Sequence, residues 1–515
     1  MNGKIVTADE AVAHIKNGDT VAVGGFVGMG HPEEITLALE RHFLEHGNPE
    51  GLTIIYAAGQ GDGKEKGINH LAHEGLVKRV IGGHWGLAPK MGKLAIENKI
   101  EGYNFPQGVI AHLYREIAGK KVGVITHVGL KTFVDPRISG GKLNSITQED
   151  LVRLIEIDGK ERLFYKSFPI NAAIIRGTTS DSRGNISMEK EAGSLEVLAM
   201  AQAARNSGGI VIVQVEKIND EPRNPYLVKI PSIFIDYIVV AQSQNHWQTF
   251  GTQYNPSFSG EKIIPLSDLK DMELNERKLI SRRAFLEIKK NSIINLGIGM
   301  PEGVAVISKE ENALDMLKTT VEGGAIGGIP AGGLSFGAAY NPESIIDQPY
   351  QFDFYDGGGL DVAFLGMAQA DKFGNVNVSK FGSKLAGCGG FINISQNAKE
   401  IIFCGTFTSG GLKIEINNGI LKILCEGKVN KFVSNVEHIT FSGEYALQTG
   451  QKVLYITERA VFKLSSGKLE LIEIAPGIDL AKDIISRMEF KPQISKDLKI
   501  MEKKIFLEKK MFKIK

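Results

Sequence analysis

The sequence predicts an α/β protein built from two related open domains, each with a mostly parallel sheet. Three observations lead to this prediction. Apolar runs rich in β-branched residues alternate with helical segments, which is typical of parallel strands covered on both faces. The chain has 515 residues, too many for one ordinary hydrophobic core. A pattern of helix, strand and glycine-rich loop also occurs twice, which indicates an internal duplication.

The first half begins with a predicted helix at Ala8–Asn17 and a strand at Thr20–Val23. The glycine-rich loop Gly24–Gly30 follows, and a second helix begins near Pro32, where proline suits the first turn. Strand, loop and helix in this order present backbone N–H groups to an anion, although the loop does not match a dinucleotide fingerprint. Further buried strands are predicted at Leu52–Ala57, Val77–Gly82, Val122–Thr126 and Gly209–Val215.

Two matches in the same order support the duplication. The segment Ile15–Gly24 corresponds to Ile288–Gly297, and each leads to a glycine loop that closes in a Pro-Glu pair. An Asp-x-x-Gly-Asn turn comes later in each half, at Asp181–Asn185 and at Asp371–Asn375. The separation between the two matches is longer in the first copy, so we predict an insertion there.

Charged segments mark the domain boundary and the end of the chain. Ser267–Lys278 has few bulky apolar residues, which predicts an exposed linker between domains at 1–266 and 279–515. Lys496–Lys515 is rich in lysine, with apolar residues interleaved at helical spacing. This pattern favours an amphipathic surface helix or a frayed tail over an arm that binds a membrane or nucleic acid.

Composition limits the classes of partner. The 60 basic and 59 acidic residues give a formal charge of +1, so no global field favours nucleic acid or an anionic membrane. No apolar run is long enough to span a bilayer. Cys388, Cys404 and Cys425 are an odd number without metal-ligand spacing, which argues against a disulfide framework. We therefore expect a soluble cytoplasmic protein without a nucleic-acid or membrane partner.

Common catalytic signatures are missing from the sequence. It contains no Gly-x-Ser-x-Gly elbow, no Walker loop and no His-Glu-x-x-His motif, which removes the usual basis for hydrolase or zinc-protease assignments. The histidines His70, His73, His84 and His127 have no ligand-like spacing to carboxylates or cysteines, so we predict structural or exposed roles and no metal.

Glu322 is the best candidate for chemistry. It lies in Thr319–Gly333, a stretch with six glycines and no other charge. One interpretation is a solvated carboxylate at the edge of a glycine-rich loop. The other is a nucleophile, because a carboxylate surrounded by glycine backbone rather than by cations is poorly neutralised and can attack an acyl group.

Several motifs resemble those of class I coenzyme A transferases, of the acetate or propionate type in which both halves are fused in one chain. The resemblance rests first on Glu322–Gly328, Asn295–Gly303 and Tyr103–Ile110. Further matches are Val128–Arg137, His246–Thr249 and Tyr254–Glu261, so nearly the whole chain is covered in the family's order. The resemblance implies an alpha-type first domain and a beta-type second domain that carries Glu322.

The resemblance also implies a ping-pong reaction and roles for individual residues. Glu322 would form a mixed anhydride and then a glutamyl-CoA thioester. The loop Gly387–Gly390 would stabilise oxyanions, with Gly389 as the expected donor and Gln107 as a side-chain partner. CoA is a substrate in this scheme, with no tightly bound cofactor; contacts to it are implied for Gly297, Ile298, Gly299, Met300 and Pro301, and Lys384 is a candidate for its phosphates. Cys388 is interpreted as a small filler between glycines.

The acyl substrate is expected to be short. Phe26, Val27 and Met29 give the loop Gly24–Gly30 compact apolar side chains, which suit acetate, propionate or butyrate better than a bulky or charged group. A homo-oligomer, either dimer or tetramer, is expected from the resemblance. Two alternatives stay open: an acyl-CoA hydrolase that uses the same glutamate, and a non-catalytic ligand sensor on a related sugar-phosphate isomerase scaffold.

Overall fold

The computed structural model describes residues 4–222, 224–266 and 270–512. In the first half, seven parallel strands of this described part form one sheet. Their spatial order is Tyr237–Val240, Ile210–Val215, Ala172–Arg176, Thr20–Val23, Leu52–Tyr56, Val77–Gly82 and Glu101–Asn104. The predicted α/β class and the mostly parallel pairing are confirmed.

Helices cover both faces of this first sheet. Val21 and Val23 point into one core cluster and Ala22 into another, as alternation along a strand requires. Both clusters are closed by the apolar sides of helices. The α-helices of the chain are Ala8–Val12, Glu33–His46, Pro89–Ile96, Gln107–Ala118, Val197–Asn206, Glu276–Phe285, Gly303–Glu310, Gln348–Asp356, Phe391–Asn397 and Gly443–Thr449.

The second half contains a larger mixed sheet. Its parallel centre consists of Leu317–Thr320, Ser292–Leu296, Val362–Gly366, Glu400–Cys404 and Lys452–Ile456, in that spatial order. Antiparallel strands extend it on one side at Ala325–Ile326 and Ser344–Ile345, and on the other at Ala460–Ser465 and Lys468–Ile474. The strand before each glycine loop, Thr20–Val23 or Ser292–Leu296, therefore lies inside its sheet with a parallel neighbour on each side.

The two Asp-x-x-Gly-Asn turns have the same hydrogen bonds. The Asn185 N–H donates to Asp181 Oδ1 at 2.9 Å, and the Asn375 N–H donates to Asp371 Oδ1 at 3.0 Å. In both turns the asparagine side chain also donates to the second carboxylate oxygen at 3.0 Å. This agreement is expected for two copies of one ancestral unit.

Two elements of the first half differ from the prediction. Val122–Thr126 does contain a strand, Gly123–Thr126, but it belongs to a separate antiparallel sheet with Val152–Ile157 and Lys160–Lys166. Ile125 is 47% exposed there, so placing this run in the main sheet was wrong. The first helix ends at Val12 instead of Asn17.

The lysine-rich end of the chain is not a surface helix. Gln493–Ile500 is a strand that pairs in parallel with Lys468–Ile474, and Lys503–Phe506 is a short 3₁₀ turn. Met501, Ile505, Phe506 and Met511 are buried in the second core. The helix or frayed tail predicted for Lys496–Lys515 is therefore wrong up to residue 512, because its apolar residues fit extended chain as well as a helix; 513–515 lie outside the described residues.

The predicted linker Ser267–Lys278 overlaps the second half. Its residues 267–269 lie outside the described ranges. Asn275 caps a helix that begins at Glu276, and Lys278 is buried with its ammonium 2.8 Å from Glu310. The division at 1–266 and 279–515 stays a prediction.

The remaining short strands are Thr179–Ser180, Ile186–Ser187, Lys217–Ile218, Val228–Ile230, Ile329–Pro330, Ala339–Tyr340, Gln369–Asp371, Val376–Asn377, Lys380–Phe381, Lys384–Leu385, Thr408–Ser409, Lys413–Asn417, Ile420–Cys425, Val429–Asn430 and Phe432–Val433.

Backbone hydrogen bonds join the halves where their loops meet. The Gly389 N–H donates to the Gly83 carbonyl at 2.7 Å, and the Gln107 N–H donates to the Gly389 carbonyl at 2.9 Å. The Cys388 N–H donates to Asn104 Oδ1 at 2.9 Å. We call this contact between the halves the seam.

Within the described ranges, no helix has both the length and the apolar character needed to cross a membrane.

Candidate active site

A cavity of about 210 Å³ lies at the seam. Loops from both halves enclose it, several of them at the carboxyl ends of parallel strands, where open α/β sheets form their binding sites. Its lining residues are Phe26, Val27, Ala58, Gly59, His84, Leu87, Gln107, Gly297, Ile298, Glu322, Phe336, Leu365, Gly366, Val378, Gly387, Cys388, Gly389, Gly390 and Phe391. Most of this surface is apolar or glycine backbone.

Glu322 lies just beyond the carboxyl end of the parallel strand Leu317–Thr320 and is only 8% exposed. The Gly390 N–H donates a hydrogen bond to its carboxylate. A Cβ atom at Gly390 would lie 2.5 Å from Glu322 Oε2, so only glycine allows this approach. Burial raises the pKa of the Glu322 carboxyl to about 7, although the Gly390 bond acts in the opposite direction. The interpretation of Glu322 as a solvated loop residue is therefore wrong.

A buried polar network fixes the strand that carries Glu322. The Thr320 hydroxyl donates to the Ile294 carbonyl at 2.8 Å. The Tyr355 hydroxyl donates to Thr320 Oγ1 at 2.9 Å and accepts from Asn295 at 3.2 Å. Two adjacent strand ends are thereby tied together, one leading to Glu322 and the other to the loop at Gly297. This preorganises the position of the carboxylate.

Gly389 and Gln107 both lie at the cavity, as predicted. Gly389 has φ +53°, and its N–H is already bonded to the Gly83 carbonyl at the seam. Gln107 is the first residue of the helix Gln107–Ala118 and is 2% exposed. Its Nε2 is buried and has no hydrogen-bond partner among the described residues. The Gln107 amide is thus a free donor at the cavity, whereas the Gly389 amide is not.

Only part of the predicted CoA loop lines the cavity. Gly297 and Ile298 do so, and Ile298 is 50% exposed. Gly299 has φ +86°, and its carbonyl accepts a hydrogen bond from Arg277 at 2.7 Å. Met300 and Pro301 continue into a 3₁₀ turn that leads away from the lining. Lys384, the candidate for the CoA phosphates, is exposed and outside the cavity lining.

Cys388 lies between the glycines of the loop Gly387–Gly390 and is 4% exposed. Its thiol donates to the Phe105 carbonyl at 3.4 Å. Burial raises the pKa of the Cys388 thiol far above its ordinary value. A thiol that stays protonated is a poor nucleophile, which fits its interpretation as a small filler.

The predicted apolar loop contributes two of its three side chains. Phe26 and Val27 line the cavity, but Met29 does not. Met29 is fully buried and packs against the residue after Glu322, since a Cβ atom at Gly323 would lie 2.8 Å from Met29 Cε. Apolar walls that the sequence did not reveal come from Leu87, Phe336, Leu365, Val378 and Phe391.

His84 is a cavity residue that sequence reasoning missed. It had been grouped with His70, His73 and His127 as structural or exposed. His70 and His73 bond to Glu40 at 2.7 and 2.8 Å. The cavity lining includes neither of them, nor His127. His84 follows the strand Val77–Gly82 at its carboxyl end, and that position was the available signal. Across the described ranges, no group of three or more His, Cys, Asp or Glu side chains is placed to hold a metal ion.

Comparison with known proteins agrees with this geometry. Residues 5–241 match a family described as coenzyme A transferase. Over 513 residues the chain is 49% identical to a caffeate CoA-transferase of Acetobacterium woodii, with 98% of each chain covered. It is 46% identical over 516 residues to the acetate CoA-transferase YdiF of Escherichia coli K12, covering 99% of this chain and 97% of that relative.

A solved structure is similar over both halves. It is an acyl-CoA transferase (YdiF) of Escherichia coli O157:H7 in a thioester complex with CoA. The TM-score is 0.93 at 44% identity, and the match covers 99% of this chain and 98% of that one. Sequence and fold therefore agree along nearly the entire length. The chain belongs to the coenzyme A transferase family, as an enzyme that transfers CoA.

Proposed function

We propose that this enzyme moves CoA between a short-chain acyl-CoA and a free carboxylate, through a glutamyl-CoA thioester on Glu322. The observation that carries the proposal is the position of this carboxylate. It is buried at a cavity shared by both halves and rests against the backbone of Gly390. Poor hydration and a single N–H donor leave the ionised carboxylate reactive towards an acyl carbon.

The proposed reaction has two exchange steps in each half-cycle. A Glu322 oxygen attacks the acyl carbon of acyl-CoA, the C–S bond breaks, and CoA leaves as the thiolate from a mixed anhydride. The thiolate then attacks the Glu322 carbonyl carbon, and the C–O bond to the acyl group breaks. The first carboxylate leaves, and Glu322 holds CoA as a thioester. A second carboxylate reverses these steps, so no net proton transfer is needed.

Each step forms an oxyanion that needs hydrogen-bond donors. We assign Gln107 to this role because its Nε2 is buried at the cavity without a partner among the described residues. Gly389 stays a proposed donor, but its N–H would first have to exchange its bond to Gly83. Gly390, whose N–H bonds to the carboxylate in the structure, is an additional candidate.

CoA is proposed to run along the loop Gly297–Pro301. Gly297 and Ile298 line the cavity, and Gly299, Met300 and Pro301 follow them in the chain without lining it. Binding energy from parts of CoA remote from the sulfur can then offset the cost of forming the anhydride. Lys384 stays a proposed phosphate contact at the surface.

The small cavity favours a short acyl group. Phe26, Val27 and Phe336 form apolar walls in a space of about 210 Å³. Acetate, propionate and butyrate fit this character, and apolar walls also keep water away from the thioester, which disfavours hydrolysis. Because one similar enzyme is named for caffeate, an aromatic acid is the alternative acyl group to test.

The assembly and location are further proposals. We infer a homo-oligomer, dimer or tetramer, working in the cytoplasm. Support for the location comes from the cysteines. Cys388, Cys404 and Cys425 are all free, and the first two are buried, which suits a reducing compartment.

Trapping the thioester tests the nucleophile. The wild type, incubated with acetyl-CoA and then borohydride, is expected to carry one modification on the peptide containing Glu322. Glu322→Gln should show no modification, and Glu322→Asp should lose at least about a hundredfold in rate because its carboxylate is withdrawn by one methylene. Glu343→Gln, an exposed residue paired with Lys318, is the matched control and should react like the wild type.

Two outcomes would contradict the proposal. Continued turnover in Glu322→Gln, or a modification at another residue, would remove Glu322 as the nucleophile. Steady CoA release without an acceptor acid would indicate a hydrolase instead. Comparing kcat/KM for acetyl-, propionyl-, butyryl- and caffeoyl-CoA tests the acyl group; a preference for caffeoyl-CoA would overturn the short-chain assignment.

A further inference from the structure

His84 has an unusual environment for a histidine inside a protein. Its side chain lines the same cavity as Glu322 and Gln107. Nδ1 is buried without a hydrogen-bond partner, and no hydrogen bond to Nε2 is found within the part of the chain that the structure describes. Buried polar groups are normally paired, and an unpaired one lowers the stability of the folded state. If the ring only filled space, leucine or phenylalanine would fill it without leaving a buried polar atom unpaired.

Glycines from three loops make room for the His84 ring. A Cβ atom at Gly59 would lie 2.5 Å from Nδ1, and one at Gly86 would lie 3.1 Å from Cε1. On the remaining side, a Cβ atom at Gly389 would lie 3.9 Å from Cδ2. The Cδ2–Nε2 edge of the ring is therefore the edge near Gly389, and the next residue, Gly390, contacts the Glu322 carboxylate.

The surroundings of the ring favour one tautomer. Nδ1 is enclosed beside Gly59, where an N–H would have nothing to bond. Orphaned buried N–H groups are rarer than under-satisfied acceptors, so the proton belongs on Nε2. Burial lowers the pKa of His84 to about 4, which keeps the ring neutral at physiological pH. A neutral ring can donate without forming an ion pair that would quench the nucleophile.

We propose that His84 is a catalytic residue that donates a hydrogen bond from Nε2 to the acyl carbonyl oxygen while Glu322 attacks. This rests on the proposed function of Glu322. Gln107, the other free donor at the cavity, shares the task from its own side. Negative charge collects on the carbonyl oxygen as the Glu322 oxygen adds. The C=O bond then re-forms as the C–S bond breaks, and the electron pair of that bond leaves on the CoA sulfur as the thiolate. His84 keeps its proton throughout, so no acid or base is consumed.

The test follows formation of the glutamyl-CoA thioester in a single turnover with acetyl-CoA. His84→Leu is expected to slow this step by about 10²–10³-fold, the usual effect of removing one oxyanion donor. His84→Gln, whose amide places an N–H at similar reach, should recover at least tenfold of that loss. KM for acetyl-CoA should change little in both variants, because the bond forms only in the transition state.

Controls separate this role from a structural one. His127→Leu removes a histidine that bonds to Asn397 at 2.6 Å outside the cavity lining, and it should react at the wild-type rate. Thermal melting confirms that each variant is folded, and His84→Phe replaces His84→Leu if the latter fails to fold.

The possible results have distinct meanings. Wild-type rates in folded His84→Leu or His84→Phe would overturn the proposal. Equal losses in His84→Leu and His84→Gln would overturn it as well, because the donor would then be irrelevant. If the wild type formed no thioester at all, the proposed function would fail, and the role of His84 would fail with it.

Discussion

At the scale of single residues, burial and one N–H donor set the acidity of Glu322. Its pKa is raised to about 7 by burial and is held there against the bond from Gly390. A nucleophile works best when it is ionised but poorly solvated, and this environment supplies both conditions close to neutral pH. Activity should therefore depend on pH where an ordinary glutamate would not.

We predict that the rate of thioester formation has an acid limb near pH 7. Because the ionised carboxylate attacks, the rate should fall about tenfold per pH unit below this value and level off above it. The measurement is single-turnover thioester formation between pH 5 and 9, with His127→Leu as a control that keeps the same limb. A flat profile from pH 5 to 8 would contradict the pKa.

The raised pKa of Glu322 also makes the stability of the protein depend on pH, in the direction opposite to reactivity. In the folded state the pKa of Glu322 is above its unfolded value of about 4.3. The unfolded chain therefore loses this proton at lower pH than the folded chain. The contribution of Glu322 to stability is greatest below pH 4 and declines as pH rises to 7, so the enzyme is most reactive where this residue stabilises it least.

Much of the site could be predicted from the sequence: Glu322 from its glycine-rich surroundings, and Gln107, Gly389, Gly297 and Ile298 from the resemblance to class I CoA transferases. Glu322, Gln107, Gly389, Gly297 and Ile298 all reach one cavity. Side-chain direction is not visible in a sequence, so Met29 was expected at the cavity and packs beneath the loop instead. His84 was missed because its position after the strand Val77–Gly82 was the one available signal, and the approach of Gly59 and Gly389 to its ring is visible only in the structure.

At the scale of elements, the helix Glu276–Phe285 is bonded to the loop Gly297–Pro301, which we propose to contact CoA. Arg277 in its first turn donates to the Gly299 carbonyl at 2.7 Å and to Glu302 at 3.1 Å. Glu302 is the counterpart of Glu33 in the duplication, and Glu33 has a histidine partner, His70, at 3.0 Å. The two glutamates thus have different basic partners, and Arg277 also bonds to the backbone of the neighbouring glycine loop.

Removing the arginine should loosen the CoA loop. We predict that Arg277→Met raises KM for CoA esters about tenfold and changes kcat little, because a charge-assisted hydrogen bond worth about 1.5–3 kcal/mol is lost away from the reacting atoms. Steady-state kinetics with acetyl-CoA measure this. Arg205→Met removes an exposed arginine paired with Asp236 and serves as the control. A fall in kcat at constant KM would contradict the assignment.

Element types were easier to predict than the partners of each element. The parallel strands Thr20–Val23 and Val77–Gly82 match their predicted limits, since continuous apolar runs between helices have few other solutions. Gly123–Thr126 has the same kind of composition but pairs within the insertion. The prediction for the end of the chain was wrong for a related reason. The mixture of lysine and apolar residues at Gln493–Ile500 suits an edge strand as well as a helix.

At the scale of the whole molecule, the seam determines whether a site exists. Asn104 is fully buried there and makes three hydrogen bonds to backbone. It donates to the carbonyls of Gly82 at 2.8 Å and Gly83 at 2.6 Å, and it accepts from the Cys388 N–H at 2.9 Å. One side chain of the first half thus holds the loop Gly387–Gly390 of the second.

We predict that Asn104→Leu destabilises the protein by about 3 kcal/mol, because the buried Cys388 N–H loses its partner and the carbonyls of Gly82 and Gly83 each lose one of their hydrogen bonds. The midpoint of urea unfolding should fall, with tryptophan fluorescence as the probe in a Trp247→Phe background that leaves buried Trp85, whose backbone N–H donates to the Ala386 carbonyl across the seam at 2.7 Å. Asn206→Leu, at an exposed asparagine that donates to Ala118, should shift the midpoint far less. Equal shifts in the two variants would contradict the role of the seam.

The division of the cavity between two halves has a consequence for the enzyme in dilute solution. Glu322 belongs to one half, whereas Gln107 and His84 belong to the other. Because a single polypeptide connects them, each half meets its counterpart at an effective concentration of the order of millimolar. Docking of the halves is then a first-order event, and completion of the site within one molecule does not depend on how much protein the cell makes.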